Sequence, residues 1–310
     1  MTKASSLYRW YLIINKVKRE NVFPSKDELK EYLELHDFRT SPRTIDRDLA
    51  EIRNVFGIEV KWDANQRGYY IDREESWDYE GMLRLLEVCV TGDLLMQTIG
   101  EGKEALRYVL FDSSGELKGI ELMGPLLQAI KLHRCIAFDY AKFRGGTTEG
   151  LAMESYALKE YQGRWYVVGT IRGSEKVYVF GLDRMEKLEI LANIFVQDKK
   201  IDPTCEFDDI IGVTRLEEEP EKVILSFTPL QGNYVKTFPW HRSQEILKDD
   251  DLEFRIKIRV IANYELIQRI LMHGKSVKVV EPKWLRDELR EQLKEAIHNY
   301  KTIEDQEKRN

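Results

Sequence analysis

Cysteine is scarce in this 310-residue sequence: Cys89, Cys135 and Cys205 are odd in number and far apart, which argues against a disulfide framework. They are expected to be reduced thiols within cores. Long apolar runs are missing too. None approaches the ~20 residues needed to cross a bilayer, and the N-terminus is polar through Ser6 with no signal-peptide pattern, so a cytoplasmic location is expected. The five histidines, His36, His133, His241, His273 and His298, show no metal-ligand spacing with each other or with cysteine. There is no nucleophile elbow and no glycine-rich dinucleotide motif. Gly100-Glu101-Gly102-Lys103 has the look of a phosphate loop, but Gln97 stands where glycine is needed and Glu104 where serine or threonine is needed. His241 has no serine or cysteine nucleophile beside it in sequence and is expected to serve packing. These absences lead to the expectation of no enzyme activity, no cofactor and no metal.

What is present is a soluble globular composition, 43% hydrophobic and 33% charged, in a chain long enough for two or three domains. A net charge of -6 does not suit a protein that coats nucleic acid over its whole surface. The charge is uneven. Residues 1–72 hold 13 Lys/Arg against 12 Asp/Glu, a net of +1, and leave -7 for the remainder.

Leu7, Trp10, Tyr11, Ile14 and Val17 have the spacing of an amphipathic helix. Ser25-Lys26-Asp27-Glu28 is a capping box opening a second helix, with Leu29, Tyr32 and Leu33 on its buried face. Ser41-Pro42 predicts a third, with serine as N-cap and proline at the first helical position, stopped at Gly57. Its apolar face is Ile45, Leu49, Ile52 and Phe56, so Arg43 and Arg47 project outward together with Ser41 and Thr44. Two short strands around the turn 63–68 complete a winged helix-turn-helix. In such a module the third helix enters the major groove and the wing lies along the phosphate backbone. Arg43 and Arg47 are the candidates for guanine edges or phosphates. Ser41 and Thr44 suit phosphates near the helix N-terminus, and Lys61 and Arg67 suit backbone contacts from the wing. Asp46 and Asp48 oppose this unless they are turned away or paired.

The run Ser41-Pro42-Arg43-Thr44-Ile45-Asp46-Arg47-Asp48-Leu49 and the wing ending Gly68-Tyr69-Tyr70-Ile71 resemble the DNA-binding module of bacterial DeoR-like and WYL-type regulators. Residues 73–119 follow as a helical connector, with helical spacing at Met82, Leu83, Leu86 and Val90 and again at Ala105, Leu106, Val109 and Leu110.

The stretch Gly163 to Met185 then dominates the second half. Two runs rich in β-branched and aromatic residues, Gly163 to Arg172 and Val177 to Met185, read as a hairpin in which Arg164, Tyr166 and Val168 share one face and Trp165 and Val167 the other. Arginine beside aromatic rings suits a planar or anionic ligand, whereas ordinary core aromatics with solvated arginines would look the same. Repeated short strands around it suggest a small barrel.

Residues 120–212 resemble a WYL domain. Trp165 and Tyr166 match the name-giving triplet, with Val167 where leucine would stand, and Phe180-Gly181-Leu182-Asp183-Arg184-Met185 matches the family's Phe-x-Leu-Asp-Arg-Ile segment. The resemblance implies an Sm-like barrel that senses a nucleotide-like or nucleic-acid ligand, lined by Tyr140, Tyr156, Trp165, Tyr166, Arg172 and Arg184. Tyr178, Ser155 and Gly181 depart from the family pattern. After an acidic linker, residues 213–310 show β-α-β-β-α-β order with a final helix, a ferredoxin-like arrangement. Phe238-Pro239-Trp240-His241-Arg242-Ser243-Gln244 and Glu281-Pro282-Lys283-Trp284-Leu285-Arg286 resemble the WCX extension.

The expected fold is thus a multidomain α+β chain. The expected function is a homodimeric transcriptional regulator, a repressor, whose partners are double-stranded operator DNA and a nucleotide or oligonucleotide ligand, with no membrane. The alternative is a ligand-binding interaction module whose winged helix contacts protein.

Overall fold

A computed structural model describes residues 6–19, 22–76, 78–100, 118–172, 174, 176–197, 201–203 and 205–307, with backbone alone for 97–100 and 301–307. The chain divides into two compact units, Met1–Gly115 and Glu116–Asn310. Among the described residues it is a mixed α+β protein with three antiparallel sheets.

The first unit comprises α1 (Ser6–Val17), α2 (Lys26–Glu34), α3 (Pro42–Phe56), the hairpin β1 (Glu59–Asp63) and β2 (Gly68–Asp72), and α4 (Tyr79–Gly100). Local chemistry sets its boundaries. At α2 the Ser25 hydroxyl accepts from Glu28 N at 3.2 Å while the Glu28 carboxylate accepts from Ser25 N at 2.7 Å. Ser41 caps α3, and Gly57 ends it at φ 61, a left-handed conformation that glycine adopts without strain. The apolar faces of the helices meet in one core of Ile13, Ile14, Leu29, Leu33, Ile45 and Ile52, all fully buried. Leu86 and Val90 of α4 join this same core, so the start of the segment expected to be a connector is part of the N-terminal unit. The helical spacing at 105–110 lies outside the described residues. Gly68 opens β2 where the chain passes closest to its neighbour: a Cβ there would stand 1.8 Å from the carbonyl oxygen of Phe23.

In the second unit α5 (Met123–Lys131) precedes β3 (Arg134–Ala141), β4 (Thr147–Tyr161), β5 (Arg164–Ile171), β6 (Val177–Gly181) and β7 (Met185–Ile194). The strands form one antiparallel sheet in the order β6-β5-β4-β3-β7. Bulges in the β3–β4 and β4–β5 ladders bend it. One face buries Ile136, Phe138, Met153, Val167 and Leu182 beneath α5, with Trp165 and Phe180 packed against them.

Then come β8 (Glu221–Phe227), α6 (Pro229–Thr237), β9 (Glu245–Asp249), β10 (Phe254–Val260), α7 (Tyr264–Met272), β11 (Val277–Glu281) and α8 (Lys283–Glu307), with strand order β11-β8-β10-β9. Along β10, Phe254, Ile256, Ile258 and Val260 face the core and Arg255, Lys257 and Arg259 do not, as the sequence alternation predicts. The segment before β8 is tied down by hydrogen bonds. Asn263 Nδ2 donates to the carbonyls of Ile211 and Thr214, and the Glu265 carboxylate accepts from the backbone N–H groups of Val213 and Thr214.

The cysteines differ from expectation. Cys205 is exposed in a single helical turn at the surface, and Cys89 and Cys135 are only half-buried.

His241 occupies a packing network. Its Nε2 donates to the Asp208 carbonyl at 2.7 Å, and its Nδ1 accepts from Ser243 N at 3.2 Å, which holds the ring neutral. Burial pushes this imidazole below its ordinary value, and the neighbouring Arg242 adds to the effect against the pull of Asp208 and Asp209. As pH falls, a group with a depressed folded pKa takes up its proton first in the unfolded chain, so folding weakens. The C-terminal domain is expected to keep full stability above about pH 6.5 and to lose it as pH drops below that value. Denaturation midpoints measured between about pH 7.5 and about pH 5.5 check this, and His241→Gln should flatten the slope. A flat wild-type profile would contradict it.

Candidate functional site

Two places concentrate chemistry, one in each unit. In the first, Arg43 and Arg47 stand exposed on α3 beside Ser41 and the half-buried Thr44. The two hydroxyls contact each other at 3.0 Å, and Ser41 also accepts from Thr44 N. The two aspartates of this helix are neutralised. Asp48 is buried and receives two hydrogen bonds from Arg9, at 2.5 and 2.7 Å, and one from the Trp10 indole at 3.0 Å. Asp46 pairs with Lys26 at 2.5 Å. Cations from α1 and α2 thus pair with the two aspartates and leave Arg43 and Arg47 exposed.

On the hairpin, Arg67 is exposed at the turn with φ 53. Lys61 is differently placed: its ammonium meets Glu75 at 2.5 Å and Asp72 at 3.0 Å, and these carboxylates hold its pKa well above the usual lysine range. Its charge is already matched by Asp72 at the end of the hairpin and by Glu75 just beyond it.

In the second unit the six residues expected to line a ligand site separate. Tyr140 and Arg184 come together, the guanidinium lying 4.9 Å from the Tyr140 ring centroid and 4.0 Å from that of Phe143. Tyr140 is buried and its hydroxyl accepts from Gly181 N at 3.1 Å. Asp183 joins two arginines, 3.6 Å from Arg184 Nε and 3.3 Å from Arg164 Nη1. A Cβ at Gly181 would stand 2.5 Å from the Asp183 carboxylate and 3.0 Å from Arg184 Nη2, so glycine leaves room for Arg184 to fold back. Tyr166 lies on the strand paired with Gly181, and burial pushes its phenol up while Arg164 pulls it down.

The others sit elsewhere. Tyr156 contacts Thr170 Oγ1 at 2.9 Å and packs on Phe195, Trp165 packs on the core beneath the sheet, and Arg172 is exposed at the end of β5. Phe143 was not anticipated as part of this cluster, and Arg164, which the sequence places on one face with Tyr166, was not among the six. Phe143 is 76% exposed in the turn between β3 and β4, and an aromatic in a glycine-rich turn is the sequence signal that could have marked it.

Arg164, Asp183 and Arg184 sum to +1 beside two aromatic rings, one of them open to solvent. Arg184 Nε is buried without a hydrogen-bond partner among the described residues. That arrangement suits the binding of a planar or anionic group, by stacking and charge-assisted hydrogen bonds, rather than bond cleavage. No grouping of three His, Cys, Asp or Glu side chains among the described residues could hold a metal ion. No described helix is long and apolar enough to cross a membrane.

The second unit thus carries a cation–aromatic cluster on a five-stranded antiparallel sheet, followed by a four-stranded α+β domain. Comparison with family models identifies both parts: a WYL domain matches residues 121–190 and a WCX domain matches residues 219–297. The chain thus carries a WYL domain followed by a WCX domain. Comparison with curated proteins found no match. Among solved structures it is similar to proteasome accessory factor B/C (PafBC) of Arthrobacter aurescens, at 20% identity and TM-score 0.32, covering 92% of this chain. The chain spans 46% of that longer one. It is also similar to a CRISPR Cas-related protein, at 13% identity and TM-score 0.38, covering 96% of this chain and 85% of the other.

Proposed function

We propose that the chain is a DNA-binding transcriptional regulator rather than an enzyme, and that it acts as a homodimeric repressor. In this reading residues 1–72 are a winged helix-turn-helix, the five-stranded sheet is an Sm-like barrel that senses a nucleotide or oligonucleotide, and the last domain is ferredoxin-like. The observation that carries it is the sorting of charge on α3: Arg43 and Arg47 are exposed, while Asp46 and Asp48 are each held by a cation from another helix. A helix that offers exposed guanidinium groups and pairs its aspartates with cations of other helices suits the major groove of DNA. Arg67 is the wing contact, and Lys61 contributes little because two carboxylates already hold it.

Arg47→Ala should weaken binding to a cognate operator by about 1–3 kcal/mol in a mobility-shift titration, whereas Lys61→Ala should change it far less. A footprint over a discrete pseudo-palindrome is the expected companion result. Unchanged affinity for Arg47→Ala, or no sequence-specific protection, would refute the DNA-binding assignment. For the barrel, Arg184→Ala should abolish retention of nucleotides or oligonucleotides that copurify with the protein, as read by mass spectrometry.

A further inference from the structure

A second concavity lies in the C-terminal domain, away from the Arg184 cluster. It is a cleft of about 460 Å³ where the end of α7, β11 and α8 meet. Its floor is hydrocarbon, including Ile270, Val279 and Leu289, and Leu293 extends it toward solvent. Its charged members are Arg255, Lys278, Arg286 and Arg290. The chain as a whole has more Asp and Glu than Lys and Arg, 54 against 48, yet four of the twelve lining residues are cations and none is a carboxylate. That bias separates this cleft from an ordinary gap between a helix and a sheet.

The cations are also incompletely used. Arg255 gives one end of its guanidinium to Glu253 at 2.7 Å, while its Nε is buried without a hydrogen-bond partner among the described residues. Arg286 is steadied against the wall by donating to the Val280 carbonyl at 3.2 Å. Lys278, Arg286 and Arg290 make no ion pair with a described residue. A buried donor left unpaired costs free energy, and an anion in the cleft would recover it. The volume falls in the range of about 300–1,000 Å³ that holds small molecules. Hydrocarbon below and positive charge around it match one ligand chemistry.

We propose that this cleft binds an amphipathic anion, a hydrocarbon body that lies on the Ile270, Val279 and Leu289 floor and bears a carboxylate or phosphate head that meets Arg255, Lys278 and Arg290. The site is independent of the DNA-binding reading. Occupancy would press on α8 and on the α7–β11 turn, which gives the C-terminal domain its own input beside the barrel.

Calorimetric titration of the full chain with decyl phosphate, kept below its micellar concentration, tests this. One site per chain is expected, with no binding of decyltrimethylammonium. Arg290→Glu and Leu293→Asp change exposed residues and should leave the fold intact, and each should weaken binding at least about tenfold, the first through the head and the second through the tail. Three results would overturn the proposal. The first is no decyl phosphate binding. The second is equal binding of the cationic amphiphile, or no response to either variant. The third is cosedimentation with anionic phospholipid vesicles without binding of free decyl phosphate, which would make the cleft a membrane-surface contact. Light scattering on the same variants adds a check: loss of self-association by Arg290→Glu, with no decyl phosphate binding, would assign the cleft to a second copy of the chain.

Discussion

Asp48→Ala is expected to destabilise the N-terminal unit by about 3–5 kcal/mol, a large part of the ~5–15 kcal/mol that holds a typical domain together. The carboxylate is 1% exposed and sits between Arg9 on one side and Trp10 on the other. Its removal leaves the Arg9 guanidinium, whose side chain is only 13% exposed, without its counter-charge, and orphans the indole N–H. A buried charge without a partner costs more than the original pair contributes, so loss of one member exceeds the net worth of the bridge. Arg9 retains a cation–aromatic contact with Phe38 at 5.9 Å, which places the loss toward the lower end. The unfolding transition of the N-terminal unit, followed by denaturant titration of the whole protein, measures it. DNA binding should fall in parallel, because the same bridge joins α1 to α3, which bears Arg43 and Arg47. A loss below about 1 kcal/mol would mean that water replaces the carboxylate and that the pair is ornamental.

Gly169→Ala should disrupt the five-stranded sheet, at a cost of about 3 kcal/mol or more, the upper end of what overpacking produces. The residue lies mid-strand in β5 opposite the β4 bulge, and an added Cβ would stand 2.0 Å from the Glu154 carbonyl oxygen and 2.9 Å from Met153 Cε. The methionine can turn aside, but the carbonyl belongs to the ladder and cannot move without breaking it. Gly124→Ala makes the control, since a Cβ there meets nothing within 4 Å and the residue lies in α5, where alanine is the better helix former. Calorimetric melting of the two variants should give a large drop for the first and little change or a small gain for the second. Equal melting points would show that the sheet relaxes around position 169.

Much of the local structure could be read from consecutive residues. The Ser25–Glu28 box, the Ser41-Pro42 start, the Gly57 stop, the hairpin around 63–68 and the alternation along β10 each depend on groups two to four positions apart. Their hydrogen bonds close small rings, so the order of residues contains the whole interaction. The WYL and WCX segments were legible for a similar reason, as short runs of contiguous residues.

The sites were less legible. The sequence shows two arginines outward on α3, but the fate of Asp46 and Asp48 depends on Lys26 and Arg9, 20 and 39 positions away. It presents Lys61 as a free cation, and only the return of the chain to Asp72 and Glu75 shows that it is spoken for. It names Arg184, Tyr140 and Tyr166 but adds three companions that the folded sheet puts elsewhere, and it passes over Phe143, whose ring lies nearest to the guanidinium. Amphipathic period, caps and turns follow from neighbours along the chain. Which charges are cancelled and which stay available follows from contacts between residues tens of positions apart, and those exist only once helices and strands have docked.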